Sequence, residues 1–473
     1  MLQPRLSRSL QRLSYALRPQ NRTLWHTSTL VSPSPSALLA HISSNPPPAA
    51  STATVYALSK NTPQDLVPSF RAALAPKDRD AAVGCLSEVL PPSLISSLAP
   101  SLPSSSSETF SLTVASFVPS AGSSERAVAF RSSLTGRPNV SVGREIKPEA
   151  DEDGDDSGFE AFLRGEKWGF GDSKNARKGE ASEGIEDLKG VDPKNVSQLL
   201  CFTADRLQPF LSALSAYPSA STAGLVGSST PFHSPAHDPY SLFLGPEETF
   251  ASGAVGVAIV RDGPAKTGEA NLETKLEYGG LELLGKPMEV TSSRGNIVLT
   301  LSSQNAARTL LNYVNELFGT SAQQLSAIER SEEKEKEFYA AVFEGEEPSS
   351  TPDLSKAKLV AKIMAGDPSR GAMSVETEEE VKQGSWLAFL HRPSSQLPSS
   401  SYLPTPPPPN SLTFLSLPAS YTSPHFSASE CAQEGEVVVL DGFVAASENG
   451  VVHAGGTGRG VVCGVEGARA VVQ

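Results

Sequence analysis

Three consecutive hydroxyl residues, Ser228-Ser229-Thr230, follow the apolar run Thr222-Ala-Gly-Leu-Val-Gly227. Short hydroxyls and free backbone N–H groups at a strand-end turn can cradle a carboxylate or another anion. The same residues also serve as plain turn formers, because a hydroxyl can bond its own backbone. Arg294, in the string Ser-Ser-Arg-Gly-Asn296, adds a planar guanidinium suited to an acidic ligand, although an exposed turn arginine needs no such role. The expected ligand-binding set is therefore Gly227, Ser228, Ser229, Thr230, Arg294 and Asn296.

Catalytic and metal chemistry find less support. GLVGSS is not G-x-S-x-G, so a nucleophile elbow is not indicated, and no triad base is identified for a serine. His233 and His237 have i,i+4 spacing with Asp238 beside them, but Pro235 and Pro239 oppose the helix that would align them. GTGRG at 456–460 lacks the Lys-Ser/Thr of a phosphate loop. Cys85, Cys201, Cys431 and Cys463 are far apart and form no C-x-x-C pair, which reads as reduced thiols in an intracellular compartment. No cofactor, no metal and no catalytic residue are expected.

The elements around these residues follow from periodicity. TATVYALSK, AAVGCLSEVL, TFSLTVASFV and SQLLCFTA have strand character, and LVPSFRAALA and LQPFLSALSAY have helical spacing. ASGAVGVAIV reads as another strand, followed by short strands across 273–301. NAARTLLNYVNELFG is an amphipathic helix ended by Gly319. The order of elements predicts an α/β (mixed α+β) fold of two lobes, each a twisted mixed sheet covered by helices.

Composition divides the chain further. The 473 residues include 38 Pro and 37 Gly, and only 38% are hydrophobic, which fits folded units diluted by Pro/Ser-rich segments. The net charge is -13, yet no acid precedes Asp65 and five arginines fall in the first 22 residues. Leu6, Leu10, Leu13 and Leu17 recur at helical spacing among those arginines, as in a mitochondrial transit peptide. Residues 1–31 are assigned to that peptide, with removal of about the first 25–35 residues on import to the matrix. Residues 32–50 read as a linker, 145–194 as an acidic disordered insert, 319–356 as a charged helical connector, and 393–410 as a Pro-rich loop. An acidic body without a basic stripe argues against nucleic acid, and no run reaches the roughly 18 apolar residues of a membrane span.

Four spaced strings carry a family resemblance: Gly227-Ser-Ser-Thr230; Gly253-Ala-Val-Gly-Val257; Gly280, Leu284, Gly285, Pro287, Val290 and Thr291; and Gly295-Asn296. Together they resemble the FIST domain of bacterial signalling proteins and of an animal F-box protein. The resemblance is strongest over about 196–318. It implies an N-terminal FIST half at 51–318 and a C-terminal half at 357–473. It also implies a sensory protein that binds amino acids or other small carboxylates. No F-box is seen, because the basic segment stands in its place. The alternatives are an adaptor that engages protein partners through the acidic or Pro-rich segments, or an enzyme of unidentified chemistry.

Overall fold

The computed structural model describes residues 25–75, 81–91, 94–95, 109–119, 124–134, 184–205, 207–230, 239–261, 274–318, 337–367, 371–377, 379–393, 410–418, 436–454 and 460–472. Among them strand accounts for 48% and helix for 17%, so the expected pair of helix-covered lobes is replaced by a β-dominated architecture. Four short α-helices, Pro35–Ser44, Val67–Leu74, Gln208–Ala213 and Ala306–Phe318, are too few to cover four sheets. The expectation failed because the inner faces of the sheets pack on one another in a shared core while short helices cover only part of the outer faces, and an apolar strand does not reveal in sequence what covers it.

Three sheets share one central core. The first runs Val438–Asp441, Trp25–Ser32, Phe110–Phe117, Ala53–Ser59, Ala82–Ser87, Leu242–Leu244, Glu248–Phe250. The second runs Glu125–Ser132, Ala254–Arg261, Val196–Thr203, Ser221–Val226, Val451–Ala454, Gly460–Cys463. The third runs Thr274–Tyr278, Ala468–Val472, Leu412–Ser416, Phe443–Ser447. Alternate side chains of all three, among them Val55, Val83, Phe202, Leu225, Phe414 and Phe443, meet in the core. This is the period-2 burial that a pleated strand imposes.

The same pattern is laid down three times. Each sheet holds one parallel pair: Ala53–Ser59 with Ala82–Ser87, Val196–Thr203 with Ser221–Val226, and Leu412–Ser416 with Phe443–Ser447. A later strand returns antiparallel beside the first member of each pair: Phe110–Phe117, Ala254–Arg261 and Ala468–Val472. A further strand then crosses to pair with the returning strand of the next sheet. Glu125–Ser132 does this for the first unit and Thr274–Tyr278 for the second. In the third position stands Trp25–Ser32, from the other end of the chain, paired with Phe110–Phe117. The C-terminal strands are thus woven through sheets that begin in the N-terminal half, rather than forming a lobe of their own.

Between Thr274–Tyr278 and Leu412–Ser416 the chain builds a closed six-stranded antiparallel barrel. Its strands are Glu282–Arg294, Trp386–His391, Phe338–Phe343, Leu359–Asp367, Ala372–Val375 and Ile297–Leu301, and the last pairs back to the first. Ala340, Val342, Leu387 and Phe389 fill its interior, while Tyr339, Ala341, Ala388 and Leu390 join the central core. Helix Ala306–Phe318 packs on the interior cluster through Leu310, Tyr313 and Val314. Gly285 has φ +83, and a Cβ there would lie 2.4 Å from the Tyr313 ring, so only glycine fits this bend.

Several segment assignments change. Trp25–Ser32, inside the span assigned to the transit peptide, is a paired strand, and Trp25 is 1% exposed. The span 32–50 holds helix Pro35–Ser44, capped by Ser34 Oγ accepting from the Ala37 N–H, with proline at its first turn. The end of the acidic insert is ordered: Ile185 and Leu188 are buried, and Glu186 accepts from the Ser132 and Ser133 hydroxyls at 2.7 and 2.9 Å. Phe338–Phe343, within the expected helical connector, is a barrel strand, as its β-branched and aromatic content favours. The Pro-rich stretch 394–409 and most of the acidic insert lie outside the described residues. Among the described residues no helix is long and apolar enough to cross a membrane.

Candidate functional site

The three parallel pairs end at one place. Beyond the first pair, the Glu88 N–H donates to the Ala446 carbonyl at 2.8 Å. Beyond the second, the Ser228 N–H donates to the Leu86 carbonyl at 3.1 Å. These are the same bond one unit apart, so Glu88, Ser228 and Glu448 occupy equivalent positions. The residues just before them, Ser87, Gly227 and Ser447, are likewise equivalent. Ends of parallel strands are where α/β and related sheets gather ligands, because the chain leaves the sheet there with unpaired backbone and short side chains.

Glu448 is the hub. Its Oε2 accepts from Ser228 Oγ at 2.8 Å, and its Oε1 accepts from the Ser229 N–H at 2.9 Å and from Asn449 Nδ2 at 3.3 Å. Asn449 Nδ2 also donates to the Gly227 carbonyl at 2.9 Å, tying the third unit to the second. The Gly227–Thr230 turn therefore does present an N–H and a hydroxyl to a carboxylate, and that carboxylate belongs to the chain. Ser228 is fully buried, Ser229 is exposed, and Glu448 and Asn449 are half-buried, so the cluster meets solvent on one side.

Glu88 is buried and forms an ion pair with Lys60. Burial pushes its carboxyl above the ordinary range, and the charge of Glu448 adds to that. Lys60 and the Val89 N–H, which donates to Oε1 at 2.9 Å, oppose the rise. Beneath these groups the parallel strands end in hydroxyls on the core face: Ser59, Ser87, Ser416 and Ser447. Ser416 is fully buried, and its Oγ is among several buried hydroxyls of the described residues without a hydrogen-bond partner.

The remaining expected site residues go elsewhere. Thr230 turns away to Ser241, with 3.1 Å between the hydroxyls, and its N–H donates to the Pro239 carbonyl at 2.8 Å. Arg294 and Asn296 sit at a barrel hairpin, not in the sheet that carries Ser228. Asn296 Nδ2 donates to the Val375 carbonyl at 3.0 Å and Gly295 has φ +59, so the Gly295-Asn296 pair shapes a turn that fastens neighbouring strands. His233, His237 and Asp238 lie outside the described residues.

Lys60, Glu88, Ser416, Glu448 and Asn449 were not picked out from sequence. A signal was present: the dipeptide Ser-Glu ends an apolar strand twice, in Cys85-Leu-Ser-Glu88 and Ala445-Ala-Ser-Glu448. Internal repetition of that kind is what a repeated unit leaves behind.

Chemically, the arrangement favours holding a ligand over attacking one. The partner of Ser228 is a carboxylate, a weak base for a hydroxyl, rather than an imidazole. Among the described residues no group of three or more His, Cys, Asp or Glu gathers as a metal site. No protein-family model matches the chain, and a search of characterised proteins finds no match.

Proposed function

We propose that this protein is a small-ligand-binding module, sensory rather than catalytic, and of the FIST type that its motifs resemble. The ligand seat is the junction where the three parallel pairs end. The observation that carries this reading is the Ser228–Glu448–Asn449 cluster, half-open to solvent at the end of the strand pair that also carries the buried Ser416 hydroxyl. Polar groups that converge at strand ends on a rigid scaffold are the usual basis of a binding site. The basic N-terminal segment supports a location in the mitochondrial matrix, with the presequence confined to residues before Trp25.

Thermal unfolding of the full chain against a broad panel of amino acids, amines, organic acids and uncharged metabolites tests the reading. A ligand at about 100 times its dissociation constant stabilises the folded state by roughly 2.7 kcal/mol, a shift readily measured. At least one compound should raise the midpoint in the wild type and fail to do so in Ser228→Ala. A flat response to the whole panel, or hits indifferent to Ser228, would overturn it.

A further inference from the structure

We infer that the ligand of this junction carries an ammonium group, which Glu448 receives. The inference rests on the small-ligand reading above and names the ligand's chemistry. The turn that would otherwise suit an anion is already filled, because Ser228 Oγ and the Ser229 N–H both donate to Glu448. A ligand carboxylate would have to displace a carboxylate held by charge-assisted bonds and would bring a second negative charge beside it.

Glu448 itself has the opposite need. A carboxylate offers about four acceptor sites, and three donors reach this one: Ser228 Oγ, the Ser229 N–H and Asn449 Nδ2. All three are neutral. Among the described residues no Lys or Arg pairs with Glu448, and the lysine that ends the first strand, Lys60, is paired with Glu88. Among the described residues the charge of Glu448 is therefore fixed in position by dipoles and left without a counter-charge. A half-buried ion pair with a ligand ammonium would supply one, in a setting less screened than open water.

A second observation comes from the neighbouring strand. Ser416 stands opposite Ser447 in the parallel register, one residue from Glu448 in the partner strand. It shares the face of Leu412 and Phe414, which point into the central core, so its hydroxyl ends that core at the junction. It is 0% exposed and unpartnered. A ligand that holds its ammonium at Glu448 and carries a second donor along the strand end to Ser416 Oγ would satisfy both groups.

Titration calorimetry on the full chain at pH 7 distinguishes the outcomes. The probes are methylamine, ethanolamine, 1,4-diaminobutane and glycine, set against acetate and propionate. At least one amine should bind and neither simple carboxylate should. Glu448→Gln, which keeps the shape and loses the charge, should weaken amine binding about tenfold or more, the value of one charge-assisted hydrogen bond. Ser416→Ala should weaken it severalfold while leaving the protein folded, and so serves if Glu448→Gln does not fold. Preference for acetate or propionate, amine binding unchanged in either variant, or no binding by any of the four amines would each overturn the inference. The broader small-ligand reading would survive those results if an anionic or uncharged compound bound in a Ser228-dependent way, and would fail only with the panel described above.

Discussion

Trp25 offers the sharpest test of how the chain closes on itself. It opens the strand Trp25–Ser32, which pairs with Phe110–Phe117 on one side and Val438–Asp441 on the other. Its ring packs on Phe117 with centroids 5.3 Å apart, and its indole N–H donates to Gln198 Oε1 at 2.9 Å, bridging the first and second sheets. Trp25→Ala removes a side chain that is 1% exposed, a loss of about 3–5 kcal/mol. It also strands the Gln198 amide, whose Nε2 already lacks a partner, at a further cost of about 1–3 kcal/mol. That loss rivals the whole stability of a typical domain, about 5–15 kcal/mol. Trp25→Phe keeps most of the packing and should lose only about 1–3 kcal/mol, the hydrogen-bond part. Urea unfolding followed by far-UV circular dichroism would measure both. Chains that begin at Trp25 and at Pro33 extend the test: the first should fold and the second, which lacks the whole strand, should not. If the proposed import takes place, N-terminal sequencing of the imported protein should place the mature end at or before Trp25. If Trp25→Ala costs less than about 1 kcal/mol, or the chain from Pro33 folds, the strand is no part of the closed core.

Two further substitutions address packing and charge. Gly224→Ala would set a Cβ 2.1 Å from the Cys201 carbonyl oxygen and force the parallel pair apart, at about 1–3 kcal/mol, whereas Gly227→Ala meets nothing nearer than 3.5 Å and should stay within roughly 0.5 kcal/mol; equal effects in thermal unfolding would contradict the strand spacing. Glu337 ties the barrel to the central sheets: it pairs with Lys362 at 2.5 Å and Arg392 at 3.6 Å, and Tyr339 donates to it, while Arg392 also binds Glu466 in the turn before Ala468–Val472. Burial raises its carboxyl, but Lys362, Tyr339 and Arg392 outweigh this and leave it below the ordinary range. A depressed carboxyl contributes stability above its unfolded value near 4.5 and loses it as pH falls through the folded value. Glu337→Gln should therefore be less stable than wild type at pH 7 and lose that difference as the pH falls through the depressed folded value; a difference that stays constant with pH would count against the ion cluster.

Local elements were legible because their signals are local. Pro68, the spacing of Phe70 and Leu74, and the apolar run Leu199–Phe202 each mark an element without reference to its neighbours. The turn at Gly227–Thr230 was legible for the same reason: short hydroxyls follow an apolar strand. What the sequence did not display was pairing. Thr29 Oγ1 donates to the Gly442 carbonyl across 413 residues, and nothing in either segment alone announces the other. The helix Pro35–Ser44 was hidden differently. Its Ser34 cap and Pro35 start are helix signals, but they lie in a Ser/Pro/Ala-rich stretch whose composition resembles a linker. Nothing in the string Ser-Glu-Asn-Gly alone sets Glu448 apart from a solvated acid beside a glycine turn. Only the third unit's placement against the second turns it inward to Ser228.

The repetition also explains why the site is asymmetric. A strict threefold repeat would bring a glutamate to the junction from every unit, and three carboxylates there would raise one another's pKa and oppose folding. The second unit instead carries Gly227-Ser228 where the others carry Ser-Glu, so one repulsive position becomes a hydroxyl donor to Glu448. Lys60 then offsets Glu88, whereas the equivalent place in the third unit, before the turn at Ser447, is Leu417. Two of the three positions are thereby relieved from within the chain. The third keeps its negative charge, oriented by neutral donors and half-open to solvent, and that imbalance is the physical reason to look for a cation at Glu448.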